Sequence, residues 1–322
     1  MSNYAGDMVR IDRDNHTVTF SANKFKKITG TRLASIVDRN AYCSEFEVAC
    51  DICRLFSEEV DNKYTRAGKV IEPKIRDYVR KHPEKMDSLG SEFKIEEPID
   101  PDQCWYNHFG KSSPYYRKGL VNCDHPDFGG MVDGYVDFKD GTRAAVLEIK
   151  TAGIEKRESW FQNGEFTVPE HYVLQASLYC KLTSPELRKV VFAVGFLEEK
   201  DYEDPESWEP NEDNTYIGVT DSHPEIDIMM FDAQEWYNNL RSRASNGRVI
   251  VEWTPGNKRD EEVVALIEEF VEKQKAEFTA PFPSGKTPES MGGFSTADTF
   301  KGKDTPGKPR DVKKRPHQTK LF

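Results

Sequence analysis

The sequence predicts an α/β or α+β fold in which helices flank a mixed sheet. Three observations predict it: two strand-like runs joined by a short turn, helical patterns on both sides of them, and further strand-like runs among the later helices. At 322 residues the chain can bury a substantial core. We expect one large domain, residues 1–279, and a tail, residues 280–322, whose Pro, Gly, Ser, Thr and Lys content predicts disorder.

The elements before the central strands are helical. Residues 21–36 show the end of a strand followed by a helix that begins near residues 29–31. Residues 44–60 are predicted to form a second helix, because Ser44 followed three residues later by Glu47 is a capping box.

A third helix is predicted at about residues 65–81. Proline is tolerated only in the first turn of a helix or at a kink, so Pro73 allows this helix to begin near Glu72. The pattern after the central strands predicts a helix at 169–182, strands near 190–197, 216–219 and 226–231, and helices at 232–245 and 260–278.

The central strands are predicted to form a hairpin. An Asp-Gly pair between two strand-like runs favours a two-residue turn, here at Asp140-Gly141, which places Lys139 opposite Thr142. Counting back along both strands then puts Asp133 directly opposite Glu148. Their β-carbons would be about 5 Å apart, close enough for both carboxylates to bind one divalent cation.

The strand period of two separates the hairpin into two faces. Asp133, Asp137, Glu148 and Lys150 share the polar face. The apolar face carries Val132, Val136, Phe138, Ala145, Leu147 and Ile149. Asp137 lies about 13 Å along the strand from Asp133, so Asp133 is the preferred metal ligand and Asp137 the second choice. A solvated face with an ion pair between Glu148 and Lys150 is the alternative that this segment alone leaves open.

The net charge of −11 does not exclude a protein that binds nucleic acid. From Pro281 onward there are nine Lys and Arg against four Asp and Glu, so residues 1–280 carry about −16. Much of this acid lies in residues 198–213, which are predicted to form a solvated loop. A locally basic cleft can still bind DNA, because clefts focus the electrostatic field independently of net charge.

No apolar run is long enough to span a membrane and the N-terminus has no signal-peptide pattern, so a cytoplasmic protein is expected. The six cysteines do not form a disulfide pattern. Cys50 and Cys53 form a CxxC in a helix-like run; buried thiols are favoured over zinc or iron-sulfur ligation.

Five motifs occur in a fixed order: Ile28-Thr29-Gly30-Thr31-Arg32-Leu33-Ala34, Gly68-x-x-x-Glu72-Pro73, Val132-Asp133-Gly134, Glu148-Ile149-Lys150-Thr151 and Pro169-x-x-Tyr172-x-x-Gln175. Together they resemble the YqaJ-type viral recombinase family, whose members are relatives of phage lambda exonuclease within the PD-(D/E)XK nuclease superfamily. The resemblance covers about residues 20–200. It implies a restriction-endonuclease-like core and Mg²⁺- or Mn²⁺-dependent cleavage of DNA.

The resemblance implies the roles of the catalytic residues. Asp133, Glu148 and the backbone carbonyl of Ile149 would bind one metal ion, and a second ion would stabilise the leaving oxygen. Lys150 would orient or deprotonate the attacking water, or neutralise charge in the transition state. Glu72 matches the family's helical carboxylate, a further metal or water ligand; its alternative role is that of a carboxylate favoured near a helix N-terminus.

Gln175 and Tyr179 lie four residues apart on one helix face and resemble the Gln-x-x-x-Tyr motif of RecB-like nucleases, which lines the cleft beside the DNA. The alternative is amphipathic packing, with Tyr172 and Tyr179 as core aromatics.

Thr31 and Arg32 lie at a predicted helix N-terminus, where phosphates bind readily. The resemblance suggests that Thr31 contacts the terminal or scissile phosphate, and that Lys24 is a further basic ligand. The tryptophan usual before that segment in the family is not evident in this sequence.

The chain ends in a Gln-x-x-Leu-Phe sequence formed by Gln318, Leu321 and Phe322, which resembles the peptide by which bacterial replication and repair proteins bind the sliding clamp. The alternative is that the basic residues at 313–315 bind DNA phosphates, and both roles are compatible.

The function predicted is an exonuclease that degrades one strand from duplex DNA ends, 5′ to 3′, and leaves single-stranded overhangs for a partner annealing protein. Relatives form closed rings, so a cyclic homo-oligomer is expected from the resemblance. Two alternatives remain: a RecB-like nuclease acting on single strands or flaps, and a DNA-end or clamp-binding module with a vestigial site.

Overall fold

The computed structural model describes residues 9–22, 24–55, 62–90, 92–97, 109, 111, 113–121, 124–244 and 247–279. The strands are β1 Arg10–Asp12, β2 Thr17–Ser21, β3 Phe93–Glu96, β4 Gly134–Phe138, β5 Arg143–Gly153, β6 Phe161–Gln162, β7 Glu165–Phe166, β8 Lys189–Leu197, β9 Thr215–Asp221 and β10 Arg248–Glu252. The helices are α1 Gly30–Ile36, α2 Glu45–Ile52, α3 Lys63–Lys81, α4 Pro114–Arg117, α5 Glu170–Thr183, α6 Glu199–Glu203, α7 Ile226–Ser242 and α8 Lys258–Thr279, with 3₁₀ turns at Pro83–Leu89 and Ile154–Trp160.

The chain divides into two compact units. The smaller unit contains the antiparallel sheet β1-β2-β10, helices α2 and α8, and the second half of α7. Helix α2 begins as predicted, because the Ser44 side chain caps it by accepting a hydrogen bond from the Glu47 amide at 3.1 Å. The helix ends at Ile52, earlier than predicted. Arg259 of α8 donates two hydrogen bonds to the Glu47 carboxylate within this unit.

The larger unit is built on a five-stranded sheet in the order β3-β4-β5-β8-β9. Strands β5 and β8 are parallel, and the other neighbours are antiparallel. Helix α3 packs on one face of this sheet, and the side chains of α5 contact the other. The predicted α/β fold, with a central mixed sheet flanked by helices, is confirmed.

Helix α3 runs unbroken through Pro73, so the expected start near Glu72 is wrong. The helix begins nine residues earlier, close to the predicted range of about 65–81, because Asn62 and Thr65 form a capping box at its N-terminus. Its apolar residues continue at a spacing of four through the proline, and all are fully buried against the sheet: Ala67, Ile71, Ile75 and Val79. Packing of this apolar face holds the helix together across the missing backbone donor.

The strand predicted at 226–231 is wrong, because these residues form the first turns of α7. Burial follows the helical period: Ile226, Met229 and Met230 are buried, whereas Ile228 and Phe231 are 62% and 65% exposed. A short apolar run does not distinguish a strand from a helix by periodicity, and only the packing separates its buried residues from its exposed ones.

The remaining elements agree with prediction in type. The strands near 190–197 and 216–219 are β8 and β9, and the helices at 169–182 and 260–278 are α5 and α8. Residues 198–213 contain the short helix α6 rather than loop alone. Strands β1, β3 and β10 were not predicted. None of the described helices is long and apolar enough to cross a membrane.

Candidate active site

The turn between β4 and β5 has three residues rather than the predicted two. The Phe138 amide donates to the Thr142 carbonyl at 2.8 Å, and the Gly141 amide donates to the Phe138 carbonyl at 2.9 Å. Gly141 has a left-handed φ of 85°, which glycine adopts without steric cost. The Asp140 carboxylate accepts bonds from the Thr142 amide and hydroxyl, which favours this longer loop.

A bulge in β5 compensates for the extra loop residue. Asp137 pairs with Arg143, whereas Val136 pairs with Ala145, so Ala144 has no partner in the ladder. Beyond the bulge, Gly134 lies opposite Leu147. The predicted register therefore applies at the open end of the hairpin, where Gly134 and Leu147 are the last pair and Asp133 and Glu148 are the next residues of the two segments.

The two faces of the hairpin separate core from polar residues as predicted. Val136, Ala145, Leu147 and Ile149 all pack in the apolar cluster beneath α3. The opposite face, which bears Glu148 and Lys150, lies toward α5. Asp137, the second-choice ligand, is instead paired with Arg143, whose Nε lies 2.8 Å from Oδ1 of Asp137.

Glu148, Lys150 and Gln175 form a buried polar cluster. Glu148 is completely inaccessible, and Lys150 and Gln175 are 5% and 2% exposed. The Lys150 Nζ donates to Oε1 of Glu148 at 2.8 Å, and the Gln175 Nε2 donates to the same oxygen at 2.5 Å. The solvated ion pair that the hairpin alone left open is therefore excluded. Burying a carboxylate is costly unless it is paired and hydrogen-bonded, and these two donors meet that requirement.

Asp133 lies just before β4, in a bend outside the strand ladder. Its carboxylate Oδ2 accepts a hydrogen bond from the Ile149 amide at 2.8 Å. This contact holds the Asp133 side chain against β5 at the residue that follows Glu148. The two predicted carboxylate ligands thus come from neighbouring segments of the polypeptide.

Glu72 is oriented by a neighbour that the sequence reasoning missed. Arg76, one turn further along α3, forms an ion pair with Glu72. The Nε of Arg76 also donates to the backbone carbonyl of Asp133 at 2.9 Å, and the residue is only 6% exposed. The spacing of four between Glu72 and Arg76 was a signal for this pair.

Tyr172 and His171 border the cluster from the first turn of α5. The Lys150 Nζ lies 4.9 Å from the centroid of the Tyr172 ring, within cation-π range. Burial, and then the nearby charge of Lys150, lowers the pKa of His171 to about 4. His171 is therefore neutral at pH 7 and adds no positive charge to the site. No sequence signal indicated a role for His171.

Residues 19–185 match the YqaJ-like viral recombinase domain. This segment is more than half of the chain. The chain belongs to the YqaJ-like viral recombinase domain family.

Other similarities of this YqaJ-like chain are weaker. It is 28% identical over 257 residues to the uncharacterized protein MG373 of Mycoplasma genitalium, covering 68% of this chain and 83% of that protein. It is 28% identical over 251 residues to the MG373 homolog of Mycoplasma pneumoniae, covering 67% and 81%. An alkaline exonuclease, LHK-Exo from Laribacter hongkongensis, superimposes with a TM-score of 0.38 at 15% identity, covering 79% of this chain and 95% of that one.

The YqaJ-like segment brings α1 directly against the polar cluster. A Cβ placed on Gly30 would lie 2.7 Å from the Gln175 Cα, so the first turn of α1 touches the α5 backbone. Thr31 and Arg32 follow Gly30 and are half-buried. Arg32 donates to the Lys27 carbonyl at 2.5 Å. Their contact with DNA phosphate stays a prediction.

Tyr179 lies in the interior of the larger unit. It is 1% exposed, and a Cβ on Gly130 would lie 2.4 Å from its ring. Phe109 stacks on the same ring at 5.9 Å. This placement favours the packing role left open for Tyr179, whereas Gln175 belongs to the polar cluster.

Three groups of predicted residues belong to the smaller unit or lie outside the described residues. Lys24 is exposed and belongs to the smaller unit. Gln318, Leu321 and Phe322 lie outside the described residues, as does the whole segment 280–322. Cys50 and Cys53 are free and buried, and burial raises the pKa of Cys53 to about 12. They are protonated thiols, as favoured from the sequence.

The donors at the hairpin suit a hard divalent cation. Asp133, Glu148 and the Ile149 carbonyl offer only oxygen, the donor that Mg²⁺ and Mn²⁺ prefer. The described residues contain no cluster of three or more His, Cys, Asp or Glu side chains arranged around a metal. The Glu72 carboxylate forms an ion pair with Arg76, and the role of Glu72 as a metal ligand stays a prediction.

Proposed function

We propose that this protein is a metal-dependent deoxyribonuclease that degrades one strand from duplex DNA ends. The observation that carries the proposal is the buried Glu148-Lys150-Gln175 cluster with Asp133 beside it. A fully buried carboxylate and ammonium at the open end of a hairpin are costly to desolvate, which favours a chemical role for this pair. Membership of a viral recombinase family supports DNA as the substrate.

Asp133, Glu148 and the Ile149 carbonyl would hold Mg²⁺ or Mn²⁺, with Glu72 as a further ligand and one or two ions bound. A bound divalent cation supplies an activated water and neutralises developing phosphate charge. Gln175 fixes the Glu148 carboxylate, because its amide donates to Oε1 at 2.5 Å.

Lys150 acts through its ammonium. It is held by Glu148 at 2.8 Å and by the Tyr172 ring, so its charge is positioned before substrate arrives. The Nζ atom already donates to the Glu148 carboxylate. Of the roles that the resemblance implies, we favour orientation of the attacking water and neutralisation of the transition state.

Thr31, Arg32 and Lys24 are proposed to bind DNA phosphates, and Gln175 is proposed to line the cleft, whereas the buried Tyr179 is assigned the packing role. The first turn of α1 supports this assignment for Thr31 and Arg32, because it lies against Gln175. The proposed product is a single-stranded overhang from 5′-to-3′ degradation, used by an annealing protein in the cytoplasm. We further propose a cyclic homo-oligomer.

Cleavage assays test the proposal. Purified protein is incubated with end-labelled linear duplex, single strands or flapped duplex, each with Mg²⁺ or with EDTA. We expect shortening of one strand of the linear duplex with Mg²⁺ alone. Preference for single strands or flaps would favour the RecB-like alternative. If no substrate is cleaved in a metal-dependent manner, the proposal fails and the non-enzymatic alternative, a DNA-end or clamp-binding module, is favoured.

Two variants locate the site. Glu148→Ala and Lys150→Ala should each reduce cleavage to a small residual rate. Matched controls are Glu165→Ala and Lys139→Ala, which remove exposed side chains of the same types. Normal cleavage by either site variant would show that the active site lies elsewhere.

The C-terminal peptide is proposed to bind the sliding clamp. Deleting Gln318 to Phe322 should abolish recovery of the clamp in a pull-down and leave cleavage of short duplexes intact. Clamp binding by the truncated protein would reject the peptide as the binding site. If clamp binding is lost only when the basic residues 313–315 are replaced, the contact depends on their charge.

A further inference from the structure

Asp133 occupies a position that the sheet does not fix. Strand β4 begins at Gly134, and Asp133 lies in the preceding bend. A strand ladder holds each residue by its hydrogen bonds to the neighbouring strand, so a residue before the first pairing depends on other contacts for its position. A carboxylate intended for a metal ion needs such contacts, because ligand geometry tolerates little displacement.

Two of the contacts that Asp133 makes are hydrogen bonds from different elements. The Ile149 amide on β5 binds the Asp133 carboxylate at 2.8 Å. Arg76 on α3 binds the Asp133 backbone carbonyl through Nε at 2.9 Å. The first bond orients the side chain and the second fixes the backbone.

Arg76 also joins this position to Glu72. The second contact of its guanidinium is an ion pair with the Glu72 carboxylate on the preceding turn of α3. The Arg76 side chain is 7% exposed and that of Glu72 is 14% exposed, so the pair is shielded from solvent. A planar guanidinium can serve two acceptors in fixed directions, which a lysine ammonium on a flexible stem does less well.

We propose that Arg76 is a positioning residue for the metal site: it fixes the Asp133 backbone relative to α3 and holds the Glu72 carboxylate beside that contact. This inference rests on the proposed metal-dependent nuclease. In this proposal Arg76 acts through Asp133 and Glu72. Contacts of this kind behind metal ligands commonly change metal affinity by about 10- to 100-fold when removed.

Mn²⁺ binding to the full chain without DNA tests the inference. Free Mn²⁺ is measured by electron paramagnetic resonance during a titration of wild type, Arg76→Lys and Arg80→Lys. Arg80 is the matched control, because it lies one turn further along α3 and pairs with Asp77 and Glu97 at a more exposed position. We expect Kd for Mn²⁺ to rise about tenfold in Arg76→Lys and to stay unchanged in Arg80→Lys.

A second variant separates positioning from folding. Glu72→Gln with Arg76→Met removes both buried charges and retains similar volume, so it avoids an unpaired charge. We expect it to melt within a few degrees of wild type and still bind Mn²⁺ weakly. For both variants the loss of cleavage should diminish at saturating Mn²⁺, because the defect lies in metal affinity.

The outcomes are distinct. The inference is overturned if both variants bind Mn²⁺ with the wild-type Kd, or if both lose the folded state. Arg76 would then have only a structural role. If the wild-type protein neither binds Mn²⁺ nor cleaves DNA, the proposed function itself fails. Cleavage and Mn²⁺ binding in wild type with unchanged binding in Arg76→Lys would reject only the role of Arg76.

Discussion

Gln175 on helix α5 donates its amide to Oε1 of Glu148, the same carboxylate oxygen that accepts the Lys150 ammonium. The distances are 2.5 Å from Nε2 and 2.8 Å from Nζ. A single oxygen therefore receives both donors, and Glu148 is held from the helix as well as from its own strand. Gln175 thereby fixes the orientation of the Glu148 carboxylate.

We predict that Gln175→Leu lowers the cleavage rate by about 10- to 100-fold, the effect expected for a residue that orients a metal ligand. Gln175→Glu should reduce the rate further, because it places a second carboxylate beside a fully buried one. The measurement is single-turnover cleavage of end-labelled duplex. Gln162→Leu, at an exposed position on β6, is the control. Wild-type rates for Gln175→Glu would contradict this role.

The turn and the register show what the sequence can predict and what it cannot. The Asp140-Gly141 pair indicated a hairpin, but the three-residue loop and the bulge at Ala144 are invisible in a pattern of alternating residues. Each shifts the register by one residue, and the two shifts cancel. The predicted register at Gly134 and Leu147 was therefore correct although the turn was not.

Contacts between residues that are distant in the sequence were the second feature that the sequence could not predict. Residue types and motif order identified Glu148, Lys150 and Gln175, because each lies in a segment with a recognisable local pattern. Nothing local indicates that Arg76 reaches the Asp133 carbonyl, 57 residues away in sequence. The first turns of α7 were misassigned for a related reason, since only packing distinguishes buried Met229 from exposed Ile228.

The depressed pKa of His171 predicts a dependence of stability on pH. An unfolded His takes up a proton near pH 6.5, whereas burial and Lys150 lower the pKa of folded His171 to about 4. The unfolded state therefore binds more protons between these values, so stability is fully present above about pH 6.5 and is lost as the pH falls toward 4.

Replacing His171 with Asn should flatten this loss. The measurement is the difference in free energy of unfolding between wild type and His171→Asn from pH 7.5 to 4.5, by urea denaturation. We expect the difference to be constant above about pH 7. Below about pH 6.5 the free energy of unfolding of wild type should fall relative to that of His171→Asn. Parallel curves across the range would show that His171 is solvated.

The contact between α1 and α5 predicts a strict requirement for glycine at position 30. A Cβ there would lie 2.7 Å from the Gln175 Cα and 2.4 Å from its Cγ, so one helix must move. We expect Gly30→Ala to lower stability by about 1–3 kcal/mol and to slow cleavage, because Gln175 is displaced. Thermal melting and cleavage rates measure this effect, with Thr31→Ala as the stability control. An unchanged melting temperature would contradict the close contact.

Tyr172 offers a test of how the Lys150 ammonium is positioned. Its ring centroid lies 4.9 Å from Nζ, and a cation-π contact of this kind contributes about 0.5–2 kcal/mol. Tyr172→Phe retains the ring and should cleave at nearly the wild-type rate. Tyr172→Leu should be about 2- to 30-fold slower, the rate equivalent of that energy.

Tyr172 also stacks on Trp160 at 5.4 Å, so the leucine variant loses packing as well as the contact with Lys150. A double-mutant cycle with Lys150→Met separates the two effects, because packing losses should add whereas the cation-π contribution should not. We therefore expect Tyr172→Leu to slow the residual cleavage of Lys150→Met far less than it slows wild type. Equal slowing in both backgrounds would assign the effect of Tyr172 to packing and not to the ammonium.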